Sequence, residues 1–229
     1  MTPLLNLPRF AETLSRDGTC IAYVARGRGR PLVVLRDLQP ACAAWSDMAA
    51  HWPAHRQAVL PDLRGSGWSQ RPVHAGAYAM PRLVDDIEAV LAATREPADL
   101  IAWSSAAQLA LALARRAVAK RVGRWILISG FTREALRSRA FADRVPSLVS
   151  PILVLQGDGD TRSSLRSAHE FVARQSCARL EVLPGIGHDP MRDAPARTWR
   201  LIEAFLAGAD QSPDVTVGTR YSSSHERHS

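Results

Sequence analysis

Near its middle the chain reads Leu100-Ile101-Ala102-Trp103-Ser104-Ser105-Ala106-Ala107, where an apolar segment leads to Ser104 and then to a helix-forming stretch. This order predicts a sharp turn from strand to helix that presents the Ser104 hydroxyl as a nucleophile, the arrangement written G-x-S-x-G. Alanines, Ala102 and Ala106, replace both glycines here, and they fit the turn less easily because each carries a Cβ atom. By itself the pattern also fits an ordinary serine that caps a helix.

Three further segments, each placed after a short apolar stretch, favour a catalytic role for Ser104. They read Asp62-Leu63-Arg64-Gly65-Ser66-Gly67-Trp68-Ser69, Gly157-Asp158-Gly159-Asp160 and Gly185-Ile186-Gly187-His188. A nucleophilic serine needs a base to take its proton, and a histidine base needs a carboxylate to fix its tautomer. Ser104, Asp160 and His188 provide these groups in the chain order Ser, acid, His.

On these four motifs the chain resembles the α/β-hydrolase superfamily, in its esterase and lactonase-like branch, over residues 10–207. Members of that branch read D-L-R-G-x-G-x-S, G-x-S-x-G, G-x-x-D and G-x-G-H. The resemblance implies the α/β-hydrolase fold, with Ser104, Asp160 and His188 as the catalytic residues. Asp158 is the alternative acid, although its place in the loop favours a turn-forming role. We assign no chemistry to the loop that begins at Asp62.

The resemblance also implies an oxyanion hole formed by the backbone N–H groups of Leu38 and Ser105. Relatives usually read His-Gly before the first of these donors, whereas this chain reads Arg36-Asp37. Asp37 lacks part of the conformational freedom of glycine, and its carboxylate would repel a developing oxyanion unless a cation such as Arg36 neutralised it. Three outcomes are open: Asp37 faces away, the hole is modified, or catalysis is impaired.

Hydrophobic periodicity predicts strands that alternate with helices. A hairpin is predicted from strands over 10–16 and 19–26, which flank the turn residues Asp17-Gly18. Further strands are predicted over 32–35, 57–60, 98–102, 125–129, 152–156 and 180–183, and helices over 43–51, 81–93, 106–119, 163–173 and 194–207. This alternation predicts a mostly parallel central sheet with helices on both faces, and a site at the carboxyl ends of the strands.

The length of 229 residues fits a single domain, which we assign to residues 1–208. Many relatives insert a helical cap after the sixth strand, but here residues 132–150 leave room only for a vestigial one. We therefore expect an open site that suits a long or macromolecular substrate. Residues 209–229 are polar and rich in serine, and we predict a disordered tail there.

Composition narrows the classes of partner. No stretch approaches the ~20 apolar residues of a membrane span, and the N-terminus has no signal-peptide pattern, so we expect a cytoplasmic protein. Cys20, Cys42 and Cys177 are widely spaced, and we expect neither a metal nor a cofactor. The net charge of +7 does not form one basic run with aromatic residues, which disfavours nucleic-acid binding. Attraction for an acidic carrier protein or a coenzyme A ester stays open.

Three functional hypotheses remain. The first is a serine hydrolase that cleaves a small-molecule carboxylic ester or thioester through an acyl-enzyme. The second is an acyltransferase that uses the same intermediate on carrier-bound acyl groups. It is suggested by Trp103, the residue before Ser104, because pimeloyl-carrier-protein methyl esterases and hydroxyacyl transacylases read G-W-S-x-G and so resemble this chain there. The third is a degenerate hydrolase fold that only binds a partner, suggested by Asp37 and the alanine-flanked serine. Asp37 and Trp103 are also candidate residues of a substrate pocket.

Overall fold

A single sheet of eight strands lies at the centre of the structure, a computed structural model that describes residues 8–36, 52–131 and 148–208. The strands are Arg9–Leu14 (β1), Cys20–Arg26 (β2), Arg30–Leu35 (β3), Arg56–Pro61 (β4), Ala98–Trp103 (β5), Val122–Ile128 (β6), Ile152–Gly157 (β7) and Ala178–Leu183 (β8). Their order across the sheet is β1-β2-β4-β3-β5-β6-β7-β8. Both pairings that involve β2 are antiparallel and all others are parallel, which confirms the predicted mostly parallel sheet.

Helices cover both faces of this sheet, as the sequence predicts. Among the described residues they are Met80–Ala93 (α1), Ala106–Leu113 (α2), Leu165–Val172 (α3), Pro190–Asp193 (α4) and Pro195–Leu206 (α5). One buried apolar cluster joins α1, α2 and α3 to one face, and a second joins α5 to the other. Four strands, β3, β5, β6 and β7, are almost wholly buried between these two layers, which explains the apolar runs in their sequences.

The helix that follows Ser104 is shorter than the predicted 106–119. It ends at Leu113, and Ala117–Arg121 forms a separate 3-10 helix. The backbone of Arg116 is extended at this break, and its guanidinium lies 3.2 Å from the Asp85 carboxylate on α1. The high alanine content predicts a longer helix, and tertiary contacts override that weak propensity. The predicted helix over 43–51, residues 132–147 of the vestigial cap and the tail from residue 209 lie outside the described residues.

Arg64 links three separate parts of the fold through buried ion pairs. Its side chain is fully buried, with one nitrogen 2.6 Å from Asp86 Oδ1 on α1 and another 2.8 Å from Asp17 Oδ2 in the hairpin turn. The same guanidinium donates to Ser15 Oγ and to Ala77 O, both at 3.0 Å. Arg64 thus forms a junction between the hairpin, the loop after β4 and α1.

Replacing Asp86 by alanine should strongly destabilise the protein, because it leaves the buried Arg64 guanidinium short of its closest partner. Removing one partner of a buried ion pair costs about 3–5 kcal/mol. Chemical denaturation gives this cost directly as a change in the free energy of unfolding. Arg166→Ala is the control, since the Arg166–Glu170 pair is exposed and such pairs contribute at most ~1 kcal/mol. Equal losses in the two variants would show that the Arg64 junction contributes little.

Candidate active site

Ser104 lies at the turn between β5 and α2, with a backbone φ of +54°. This left-handed conformation is uncommon for residues other than glycine, and it stores strain that the surrounding structure must hold. The N–H of Ser104 donates to Ile128 O on β6 at 2.8 Å, which ties the turn to the sheet. Gly130 lies two residues beyond the end of β6, and a Cβ atom there would overlap the Ala107 side chain. The start of α2 therefore packs closely against this strand end.

The side chains of Ser104, His188 and Asp160 meet at the carboxyl edge of the sheet. Ser104 Oγ lies 2.9 Å from His188 Nε2, and His188 Nδ1 lies 2.9 Å from Asp160 Oδ2. The Ser104 residue is 1% exposed, and the side chains of His188 and Asp160 are 11% and 0% exposed. The structure thus brings together three residues that the sequence singles out and that follow β5, β7 and β8. An imidazole placed between a carboxylate and a hydroxyl can act as a base toward the hydroxyl.

The two carboxylates of the loop after β7 have different partners. Asp160 faces His188, whereas Asp158 Oδ1 accepts a hydrogen bond from the backbone N–H of Gly185 at 2.7 Å. Asp158 therefore fastens the loop before His188 to the loop after β7. The carboxylate in contact with the imidazole is that of Asp160.

Four donors surround the Asp160 carboxylate. Oδ1 accepts from the backbone N–H groups of Arg162 at 2.8 Å and Ser163 at 2.9 Å, while Oδ2 faces His188 Nδ1 and Gln156 Nε2. Burial alone would raise the pKa of the Asp160 carboxyl. The hydrogen bonds from Ser163, His188 and Arg162 outweigh that effect and lower the pKa below its ordinary value. Asp160 is therefore ionised throughout the neutral range.

Gln156 and Ser163 belong to this site but are missed by the sequence reasoning. Gln156 Nε2 lies 3.0 Å from Asp160 Oδ2, and Ser163 Oγ lies 3.0 Å from Gln156 Oε1. Gln156 is completely buried and Ser163 is 4% exposed. One signal was available: Gln156 is a polar residue that ends the otherwise apolar run Ile152-Leu153-Val154-Leu155, at the strand end where the site is expected.

The loop that carries His188 packs directly on the end of β7. A Cβ atom at Gly157 would overlap the carbonyl oxygens of Ile186 and Gly187. The backbone N–H of Gly159 donates to Ile186 O at 3.1 Å. Glycine at position 157 therefore allows the close approach that sets the position of His188.

With His188 as the base that the sequence predicts, Gly157→Ala should displace the loop that carries it and lower kcat about a hundredfold, the effect of misplacing a reacting group by ~1 Å. The variant should stay folded, because the loop is at the surface. Turnover of an activated ester together with circular dichroism measures both properties. Gly76→Ala is the control, since a Cβ atom there has no neighbour within 4 Å. Wild-type kcat in Gly157→Ala would mean that the close approach does not position His188.

Trp103, a candidate pocket residue from the sequence, is only 6% exposed. Its indole N–H donates to the backbone carbonyl of His188 at 3.1 Å, and its ring centroid lies 5.9 Å from that of the imidazole. The residue before Ser104 thus supports the backbone of His188. Its side chain packs within the apolar cluster on the face of the sheet that α5 covers.

Ser129 resembles Ser104 in its backbone but not in its contacts. It follows β6, its φ is +48°, and it is fully buried. Its N–H donates to Leu155 O at 2.9 Å. Its hydroxyl makes no hydrogen bond within the part of the chain that the structure describes. The neighbouring strands β5 and β6 are therefore each followed by a serine in the left-handed conformation. Ser104 is the one that contacts His188.

Of the two expected oxyanion donors, only Ser105 lies among the described residues. Ser105 lies directly after Ser104 and precedes the first turn of α2, whereas Asp37 and Leu38 lie outside the described residues. Arg36 pairs with Asp62 Oδ1 at 2.5 Å, and Asp62 Oδ2 also accepts from Trp68 N at 3.1 Å. The Arg36 charge is therefore engaged by Asp62 in the loop after β4.

The described ranges also bear on metal binding and membrane insertion. Within residues 8–36, 52–131 and 148–208, no group of three or more His, Cys, Asp or Glu side chains could hold a metal ion. In the same ranges, every helix is too short or too polar to cross a membrane.

A model of the family described as "alpha/beta hydrolase fold" matches residues 38–144. Among characterised relatives, the chain is 36% identical over 127 residues to 2-hydroxymuconate semialdehyde hydrolase of Pseudomonas sp. (strain CF600). That match covers 54% of this chain and 44% of the relative. The chain thus spans less than half the length of the relatives it matches in sequence.

Solved structures show the same architecture. An esterase from Rhodococcus sp. ECU1013 is similar with a TM-score of 0.74 at 19% identity, over 88% of this chain and 99% of that one. An esterase from Exiguobacterium antarcticum is similar with a TM-score of 0.76 at 16% identity, over 87% of this chain and 100% of that one. Likeness at these identities shows a shared fold.

Proposed function

We propose that this chain is a serine hydrolase of the α/β-hydrolase superfamily, which cleaves a carboxylic ester or thioester through an acyl-enzyme. Ser104 is the nucleophile, His188 the general base and acid, and Asp160 the residue that orients His188. One observation carries the proposal: an unbroken line of contacts runs from Asp160 through His188 to Ser104, with both distances 2.9 Å. The strained φ of Ser104 at a strand-to-helix turn supports it.

Acylation begins when Ser104 Oγ adds to the carbonyl carbon of the substrate while its proton moves to His188 Nε2. Asp160 holds the proton of Nδ1, so that Nε2 is the nitrogen with a free lone pair. The imidazolium that forms is stabilised by the ionised Asp160, whose low pKa keeps it charged. Backbone N–H groups of Ser105 and Leu38 would stabilise the oxyanion.

The tetrahedral intermediate collapses when His188 gives the Nε2 proton to the leaving oxygen or sulfur atom. The carbon–oxygen or carbon–sulfur bond breaks, and the acyl group stays on Ser104 Oγ. A water molecule then adds to the acyl carbon and passes a proton to His188. Release of the carboxylic acid returns that proton to Ser104.

The purified chain should react stoichiometrically with a fluorophosphonate probe and should hydrolyse short-chain nitrophenyl esters. A substrate panel should add acyl-coenzyme A thioesters, acyl-carrier conjugates and 2-hydroxymuconate semialdehyde, because one relative is a hydrolase of that last compound. Absence of both labelling and turnover would overturn the proposal and favour a non-catalytic binding protein. Product analysis with and without an added alcohol separates hydrolysis from acyl transfer, since only a transferase converts the alcohol efficiently to an ester.

A further inference from the structure

Gln156, near the end of β7, presents a fully buried amide to the candidate acid. Its Nε2 donates to Asp160 Oδ2 at 3.0 Å and to Gly157 O at 3.2 Å. Asp160 Oδ2 is also the atom that faces His188 Nδ1 at 2.9 Å. Gln156 and His188 therefore share one carboxylate oxygen.

The orientation of this amide follows from its neighbours. The backbone N–H of Phe131 donates to Ser163 Oγ at 3.0 Å, and Ser163 Oγ donates its single hydrogen to Gln156 Oε1 at 3.0 Å. The amide oxygen of Gln156 is thus held toward Ser163, and the NH₂ group is held toward Asp160. A reversed amide would place its oxygen against Asp160 Oδ2, where two acceptor atoms repel each other.

We infer that Gln156 is a positioning residue that fixes Asp160 and withdraws negative charge from the oxygen shared with His188. The inference rests on the proposed function of Ser104, Asp160 and His188. Gln156 touches no reacting atom and acts through Asp160. It is distinct from the two backbone donors, because these bind the other oxygen, Oδ1.

Removing the Gln156 donor should shift the protonation of His188 in one direction. Loss of the Gln156 donor leaves more negative charge on Asp160 Oδ2, and this charge favours the protonated form of His188 over the neutral form. Neutral His188 is the base that activates Ser104. The acid side of the pH–activity profile must therefore move to higher pH when the donor is removed. A residue that only fills space would not move this profile.

The other charged groups near His188 should keep their contacts when the Gln156 donor is removed. Asp189 follows it in the chain, and burial raises the pKa of the Asp189 carboxyl, which accepts from the backbone N–H of Arg192 on α4. Asp193 lies on the same short helix, and Asp158 binds Gly185 N. Because these contacts do not involve Gln156, a shift of the profile reports the bond to Asp160.

Gln156→Met tests the inference, since methionine is similar in length and cannot donate. The acid-side midpoint of kcat/KM should rise by about half a pH unit, the effect of one modest hydrogen bond. At neutral pH, kcat should fall about threefold to tenfold, with KM changed less than twofold. Gln175→Met is the matched control: Gln175 is also buried, at 6% exposure, and its amide oxygen accepts from Leu148 N at 3.1 Å. It should keep the wild-type profile.

Ser163→Ala provides a second variant that leaves Gln156 in place and removes only the hydroxyl that orients its amide. It should shift the midpoint in the same direction by a smaller amount.

Proton NMR gives a readout without substrate, because the Nδ1 proton of a histidine bound to a carboxylate resonates far downfield. This resonance should move further downfield in Gln156→Met.

These measurements distinguish failure of the proposed function from failure of the role assigned to Gln156. A wild-type protein without labelling or turnover would defeat the proposed function, while the NMR comparison would still test the bond between Gln156 and Asp160. An unchanged resonance and an unchanged profile in Gln156→Met would overturn the inference. An equal shift in Gln175→Met would overturn it too, since the change would then reflect any buried glutamine.

Discussion

Ser104→Ala is expected to abolish covalent labelling and to lower kcat about a millionfold, because members of a catalytic triad act as a unit. Only Oγ is lost, and with it the 2.9 Å contact to His188 Nε2. Alanine keeps the same backbone constraint at φ +54°, so that strain is unchanged. The cost in stability should be that of one hydrogen bond, about 0.5–1.5 kcal/mol.

The control for this experiment is Ser129→Ala. Ser129 is a buried serine with φ +48° at the neighbouring strand end, so the two substitutions impose the same chemical change in the same type of backbone. Labelling with a fluorophosphonate and turnover of a nitrophenyl ester should be lost in the first variant and kept in the second. Full labelling of Ser104→Ala would identify a different serine as the nucleophile.

Asp160→Asn is expected to lower kcat about ten-thousandfold, the cost measured for the matching change in a serine protease. Oδ1 accepts from two backbone N–H groups, so an asparagine at this position must place its oxygen there. Its NH₂ group then takes the place of Oδ2 and donates to His188 Nδ1. The proton of the imidazole is forced onto Nε2, which can no longer accept from Ser104. The same NH₂ group also faces the Gln156 donor.

Asp158→Asn provides the comparison within the same loop. Its amide oxygen can still accept from Gly185 N, so the loop stays attached and turnover should change less than about threefold, which is equivalent to part of one hydrogen bond. Steady-state kinetics of both variants on one ester decides the matter. If Asp158→Asn were the damaging change and Asp160→Asn the mild one, Asp160 could not be the orienting acid.

Much of the fold can be predicted from the sequence because it depends on local signals. The hairpin follows from Asp17-Gly18, where Gly18 has φ +82° and Asp17 Oδ1 accepts from Thr19 N. The buried strands follow from continuous apolar runs, and their carboxyl ends locate the site. The two strands that precede Ser104 and Asp160 are predicted to within one or two residues of their observed ends.

The contacts that the sequence does not reveal are those between distant segments. The bonds of Arg64 join residues 47 and 22 positions apart, and no local pattern indicates which carboxylates it meets. The end of α2 depends on contacts with α1 rather than on alanine content. The role of Gln156 depends on how the loop after β7 folds back toward it, and a single polar residue at a strand end gives only a weak hint of this. The alternative acids Asp158 and Asp160 likewise differ only in where that loop directs them.

The bond between the Trp103 indole and the His188 carbonyl affects how the candidate site responds to warming. It fastens the backbone of His188, the proposed base, to the strand that leads to Ser104, across 85 positions of sequence. A displacement of β5 is therefore transmitted in part to the His188 backbone through this bond, which opposes separation of Ser104 from His188 on warming. Because Trp103 is buried in the sheet, its indole gives the loop that carries His188 a fixed point of attachment.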